Sequence, residues 1–127
     1  MNQQNTLLAA AVFGCLSVGL GAFGAHALKE TLTVNGRVET YELAVKYQFY
    51  HTLALLAIGL LMNKIPGFPL MISSALITGG VILFSGSLYM LALTSFRFVV
   101  FLTPLGGALM LAGWAAMVYA ILTKKPW

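Results

Sequence analysis

Charge is what this sequence has least of. Only 8% of its 127 residues are Asp, Glu, Lys or Arg, where a soluble globular domain carries about a quarter. Three of them are acidic. So little charge cannot cover a surface in water. With 60% hydrophobic residues and a mean hydropathy of +0.92, the chain reads as one integral membrane domain, residues 1–127, with almost nothing outside the lipid. Cysteine is almost absent too: Cys15 is alone, which rules out an intrachain disulfide and leaves the redox compartment open. Long linkers, repeats and low-complexity segments are missing. There is no glycine-rich phosphate loop either. Gly19-Leu20-Gly21-Ala22-Phe23-Gly24 has the glycines of a dinucleotide fingerprint, but no strand precedes it and it lies inside an apolar run. The net charge of +4 does not point to nucleic acid. The basic residues are scattered at the ends of apolar runs, where anionic headgroups are the natural partner.

What is present is a set of four apolar runs, at about 7–28, 43–62, 70–94 and 99–122. Each is long enough, at about 1.5 Å of rise per residue, to cross a hydrocarbon core about 30 Å thick. An open sheet edge has no partner in lipid, so runs of this length are helices. Lys29 to Arg37 is expected to be a polar loop turning at Asn35-Gly36, and Asn63 to Pro69 a short turn that cannot continue a helix. Thr94 to Phe98 is a tight connection. In Thr103-Pro104, the proline either kinks the last helix or sits in its first turn with Thr103 as cap. In that second case Val99 to Leu102 is an interfacial entry. A basic tail ends in Trp127, an interfacial residue type. The competing reading of the first run is a signal peptide cleaved at Ala25-His26-Ala27. Against it, no Lys or Arg precedes the run, and the run exceeds a usual signal core.

Four spans with short connections alternate in direction, which predicts an all-α, up-down-up-down four-helix bundle in the membrane. Close approach rather than hydrophobic drive holds helices together in lipid. Small residues at helical spacing mark candidate packing faces: Ala10, Gly14, Ser17, Gly21 and Ala25 on the first helix, Ala75, Gly79 and Gly86 on the third, and Gly106 and Gly113, with the row Ala112, Ala116, Ala120, on the fourth. These faces serve packing within the bundle; a homo-oligomer seam is the alternative reading.

The polar residues concentrate on the helix Val38 to Met62. Glu39, Glu42, Lys46 and Tyr50 fall on one stripe, with Ala44, Tyr47, Gln48, His51, Thr52 and Leu55 roughly opposite. Glu42 and Lys46, four apart with the acid first, are in the favourable order for pairing. His26 sits about one turn from the end of the first helix. Intramembrane histidines are costly and face the protein interior, so His26, Tyr47, Gln48 and His51 are expected to point into the bundle, with Glu42 and Lys46 at the rim. This cluster admits interhelical hydrogen bonding, a proton relay, or a lipid or quinone headgroup site. Metal or haem ligation fits poorly. Two histidines lack a third ligand, and their depths along the helices differ. No nucleophile–base–orienter set appears, so catalytic residues are not expected.

At Gly21-Ala22-Phe23-Gly24-Ala25-His26-Ala27-Leu28 the sequence takes on a resemblance. Tyr47-Gln48-Phe49-Tyr50-His51-Thr52-Leu53-Ala54 follows, then Leu83-Phe84-Ser85-Gly86-Ser87-Leu88-Tyr89, Thr103-Pro104-Leu105-Gly106-Gly107 and Gly113-Trp114. With these motifs, from about Gly14 to Trp114, it resembles the YgdD/YwdK-like family of small four-helix bacterial inner-membrane proteins. The resemblance implies four spans in the inner membrane with both termini cytoplasmic. It implies no activity, cofactor or catalytic residue. It places His26, His51, Gly86, Pro104 and Trp114 inside the family's motifs. Charge counts leave orientation nearly undecided. Lys29, Arg37, Lys46 and Arg97 lie toward one side and Lys64, Lys124 and Lys125 toward the other.

The function this implies is a structural or interaction module without enzymatic activity or cofactor, its partners being membrane lipids or a larger membrane complex. The rival is a small transporter or proton conductor using His26, His51, Glu42 and Lys46. Four helices are too few for the paired repeats of many transporters unless the chain dimerises.

Overall fold

The computed structural model describes residues 1–94 and 96–124; Lys125 and Trp127 of the basic tail lie outside the described residues. Four long helices dominate: α1 (Gln3–Ala25), α3 (Val38–Leu61), α4 (Phe68–Thr94) and α5 (Leu102–Thr123). All four are long and apolar enough to cross a membrane; the last span includes a 3₁₀ turn, Arg97–Phe101, leading into α5. A short helix, α2 (Lys29–Val34), follows α1.

Local sequence accounts for the boundaries. The Asn2 side chain accepts from Asn5 N at 2.8 Å, satisfying one of the free N–H groups of the first turn. This cap starts α1 at Gln3, four residues before the apolar run. The stretch expected as a polar loop is instead mostly helical. Leu32 is buried against Tyr41 and Ala92, and that burial holds α2 in place. Asn35-Gly36 ends α2 as a helix cap: Arg37 N donates to Leu32 O at 2.9 Å and Gly36 N to Thr33 O at 3.1 Å. This cap needs the left-handed backbone of Gly36, φ 64°. Pro104 lies in the first turn of α5, where its missing N–H costs nothing. Thr103 is not the cap, which is Phe101; its hydroxyl instead lies 2.6 Å from Ser87 Oγ of α4.

The spans pack in chain order. α1 packs on α3, α3 on α4 and α4 on α5, whereas α1 and α5 share no extensive contact. The bundle is therefore an open row with α3 and α4 in the middle. In their most apolar stretches 44% of the residues of α3 and of α4 are buried, against 11% for α1. The outward faces of α1 and α5, with Leu8, Val18, Leu111 and Leu122, are left to acyl chains.

Glycines set the closest crossing, between α4 and α5. A Cβ on Gly106 would strike Phe84 N and lie 2.8 Å from Gly80 O; one on Gly80 would lie 2.9 Å from Gly106 O; one on Gly113 would lie 2.6 Å from Ile77 Cγ1. Ser73 Oγ donates to Gly113 O at 2.7 Å across the same contact. On α1, Ala10 and Ser17 are buried, Gly14 faces Thr52 and Gly21 faces Val45, so much of this small-residue face is turned to α3. Two of the expected packing positions are corrected. A Cβ on Gly86 would meet nothing within 4 Å, and one on Gly79 would only touch Leu109 at 4.0 Å. The α4 face turned to α5 runs through Gly80 instead. Gly24, against the Tyr41 ring, and Gly59, against Leu7, are further close approaches.

Candidate functional site: the polar residues of α3

The helical period divides α3 into a buried and an exposed face. Tyr41, Ala44, Gln48, His51, Thr52 and Leu55 are buried, Tyr47 is half-buried, and Glu39, Glu42, Lys46 and Tyr50 are exposed. Gln48 ties three helices together. Its Nε2 donates to Phe13 O of α1 at 3.1 Å, and its Oε1 accepts from Tyr89 Oη of α4 at 2.8 Å. The Tyr89 ring meets Tyr41 edge-on, centroids 5.3 Å apart. Tyr41 Oη in turn donates to Leu20 O. One turn from Gln48, Ser85 Oγ donates to Ala44 O at 2.8 Å, a second bond between α4 and α3.

His51 belongs to a different group. Trp114 Nε1 of α5 lies 3.2 Å from His51 Nε2. An indole nitrogen only donates, so Nε2 accepts and the proton sits on Nδ1. There it is donated to Tyr47 O at 2.8 Å. Both ring nitrogens of a neutral imidazole are thus engaged. Tyr47 stacks against His51 at 6.1 Å and packs on Phe84 at 4.8 Å. Tyr47, His51, Phe84, Gly107, Met110 and Trp114 line a groove of about 390 Å³ between α3, α4 and α5.

The expected single cluster is therefore corrected in two respects. His26 is exposed and lines only a shallow recess with Ala22, Phe23 and Ala27. The reason is local: α1 ends at Ala25, and His26 leaves the helical conformation, φ −122° and ψ −81°. Glu42 and Lys46 are not at the rim of the histidine group. They lie on the opposite stripe and border a separate groove of about 310 Å³ between α1, α2 and α3.

Sequence reasoning did not find Trp114 as the partner of His51, nor Tyr41 as a bridge to α1. Tyr89 was legible as a hydroxyl donor but not as the partner of Gln48. Among the described residues no three His, Cys, Asp or Glu side chains come together as a metal site. Among them, too, Thr78 Oγ1 is the only buried side-chain nitrogen or oxygen without a hydrogen-bond partner. The arrangement joins helices.

The chain's sequence is similar to proteins across several bacteria. It is 41% identical to UPF0382 inner membrane protein YgdD of Escherichia coli over 127 residues, covering 98% of this chain and 95% of that protein. A UPF0382 membrane protein of Staphylococcus epidermidis is 40% identical over 91% of this chain and 93% of its own length. One of Haemophilus influenzae is 40% identical over 98% and 97%. No solved structure matches. The family model described as "Protein of unknown function (DUF423)" matches residues 20–107. That stretch holds the Gln48–Tyr89 and His51–Tyr47 bonds; Phe13 and Trp114, the other partners of Gln48 and His51, lie outside it, and the relatives extend the likeness over nearly the whole length. The chain belongs to the DUF423 family of membrane proteins.

Proposed function

We propose that the protein is a non-enzymatic structural module of the bacterial inner membrane, which uses its lateral surfaces to hold lipid or a larger membrane complex. The observation that carries this reading is the closure of its interior polar bonds. Gln48 and His51 spend their donors and acceptors on Phe13, Tyr89, Tyr47 and Trp114. Intramembrane polar groups so engaged act as interhelical glue. Apart from Thr78 Oγ1, what is left unpartnered among the described residues is lateral: the outward faces of α1 and α5 and the grooves between helices. Relatives named as inner membrane proteins support the compartment. The purely basic Lys64 and Lys124 side supports cytoplasmic termini.

The rival reading, proton conduction through His26, His51, Glu42 and Lys46, loses support because those residues fall in three separate places. Gentle extraction of the full chain followed by native mass spectrometry tests the proposal. Retained lipid or a co-extracted membrane protein is expected. A bare monomer under every mild condition, together with proton flux in liposomes that His51→Leu abolishes, would reverse it.

A further inference from the structure

The groove between α1, α2 and α3 has the make-up of a headgroup site set above an acyl slot. Gly21, Gly24, Val45 and Phe49 line it together with Glu42 and Lys46, whose side chains are exposed. At Gly24 the Tyr41 ring packs directly on the α1 backbone, and at Gly21 the wall carries no side chain. Opposite Gly21, a Cβ would only just touch Val45, at 3.5 Å. The two charges are one turn apart on the same helix. Glu42 is nearer the start of α3 and hence the water. Lys46 is deeper by about 6 Å, four residues of rise, and its flexible stem lets the ammonium reach outward.

Resting on the lipid-binding reading above, we infer that this groove takes a diacyl phospholipid with a phosphoethanolamine headgroup, in the leaflet on the side of α2. In such a lipid the ammonium is the outermost charge and the phosphate lies inside it. That order matches an outer carboxylate and an inner ammonium. The primary ammonium has N–H donors for Glu42, forming a charge-assisted bond that a quaternary choline cannot form. A purely anionic headgroup would satisfy Lys46 but face Glu42 with like charge. One acyl chain then runs along Val45 and Phe49 toward the bilayer centre. A second copy of the chain fits the groove less well, because an apolar helix laid across it would strip water from both charges without pairing them.

The test uses the full chain in detergent with equimolar phosphatidylethanolamine, phosphatidylcholine and phosphatidylglycerol of identical acyl chains, with retained lipid read by native mass spectrometry. Retention of the ethanolamine lipid is expected to exceed each of the others about fivefold, the scale of one charge pair at a partly exposed site. Glu42→Gln should erase the preference over the choline lipid, and Glu42→Lys should turn it toward phosphatidylglycerol. Lys46→Gln should lower retention of all three. Both side chains are exposed, so the melting temperatures of the variants should match the parent, separating lost binding from lost fold. Equal retention of the three lipids, or a preference untouched by Glu42→Gln and Glu42→Lys, overturns this inference while leaving the broader lipid-binding reading standing. Dimers carrying no lipid overturn it in favour of a second copy. Absence of any retained lipid or membrane partner removes the broader reading as well.

Discussion

Trp114 and His51, 63 residues apart in sequence, meet nitrogen to nitrogen at 3.2 Å. The bond joins α5 to α3 although α5 packs chiefly on α4. It also fixes the imidazole as the neutral form protonated at Nδ1. Replacing His51 with Leu, or Trp114 with Phe, should each cost on the order of 1 kcal/mol, the usual scale of an interhelical bond in lipid. The double variant should cost less than the sum of the two. Unfolding titrations in mixed micelles, run as a double-mutant cycle, measure this; strict additivity would show that the pair does not interact.

Gln48 should be less replaceable than its single amide suggests. Gln48→Leu leaves the Tyr89 hydroxyl without its acceptor and removes the bond to Phe13, for a loss of about 1–2 kcal/mol. Gln48→Glu is worse once its carboxyl is ionised, because both oxygens then only accept and one opposes the Phe13 carbonyl, whereas the protonated acid can donate there as the amide does. The order parent, Leu, Glu in unfolding free energy at alkaline pH is the expected outcome. Equal stability of Glu and parent at alkaline pH would mean that Gln48 does not donate to Phe13.

The glycines separate by the space around them. Gly106→Ala places a methyl against the α4 backbone at Phe84 and Gly80 and should destabilise by about 1–3 kcal/mol, as overpacking does. Gly86→Ala meets open space and should be neutral or gain up to about 1 kcal/mol from reduced backbone freedom in the unfolded chain. Thermal melts of both variants in one detergent decide the contrast, and equal losses would place Gly86 at a contact.

Orientation is open to single-cysteine labelling in a Cys15→Ala background. Cysteines replacing Lys64 and Lys124 should stay unlabelled by an impermeant maleimide in intact cells, while one replacing Asn35 reacts. The reverse pattern would place the termini outside.

Sequence patterning was most informative where one quantity decides the outcome. Apolar run length fixes four spans, and the 3.6-residue period fixes which side of α3 is buried, Gln48 and His51 among it. It was less informative wherever tertiary contact decides. Small residues mark where helices can approach but not which stripe does so, and on α4 that stripe runs through Gly80, adjacent to the legible Gly79. A terminal residue such as His26 is placed by how its helix ends, and an end at Ala25 rather than Leu28, three residues earlier, turns it outward. α2 exists because Leu32 is covered by Tyr41 and Ala92, partners far off in the chain. The Trp114–His51 bond leaves no local trace at all, since nothing near either residue announces the other.

The open row of spans bears on how the molecule is made. Each spanning helix rests on the one synthesised just before it: α3 on α1, α4 on α3, α5 on α4. Among the described residues no extensive contact has to wait for the last helix to come round and meet the first. Assembly can therefore keep pace with insertion, each new helix docking as it enters the bilayer, and chain-order contacts of this kind favour rapid folding. A ribosome-released fragment ending after α4 would already hold the Gln48–Tyr89 and Ser85–Ala44 bonds.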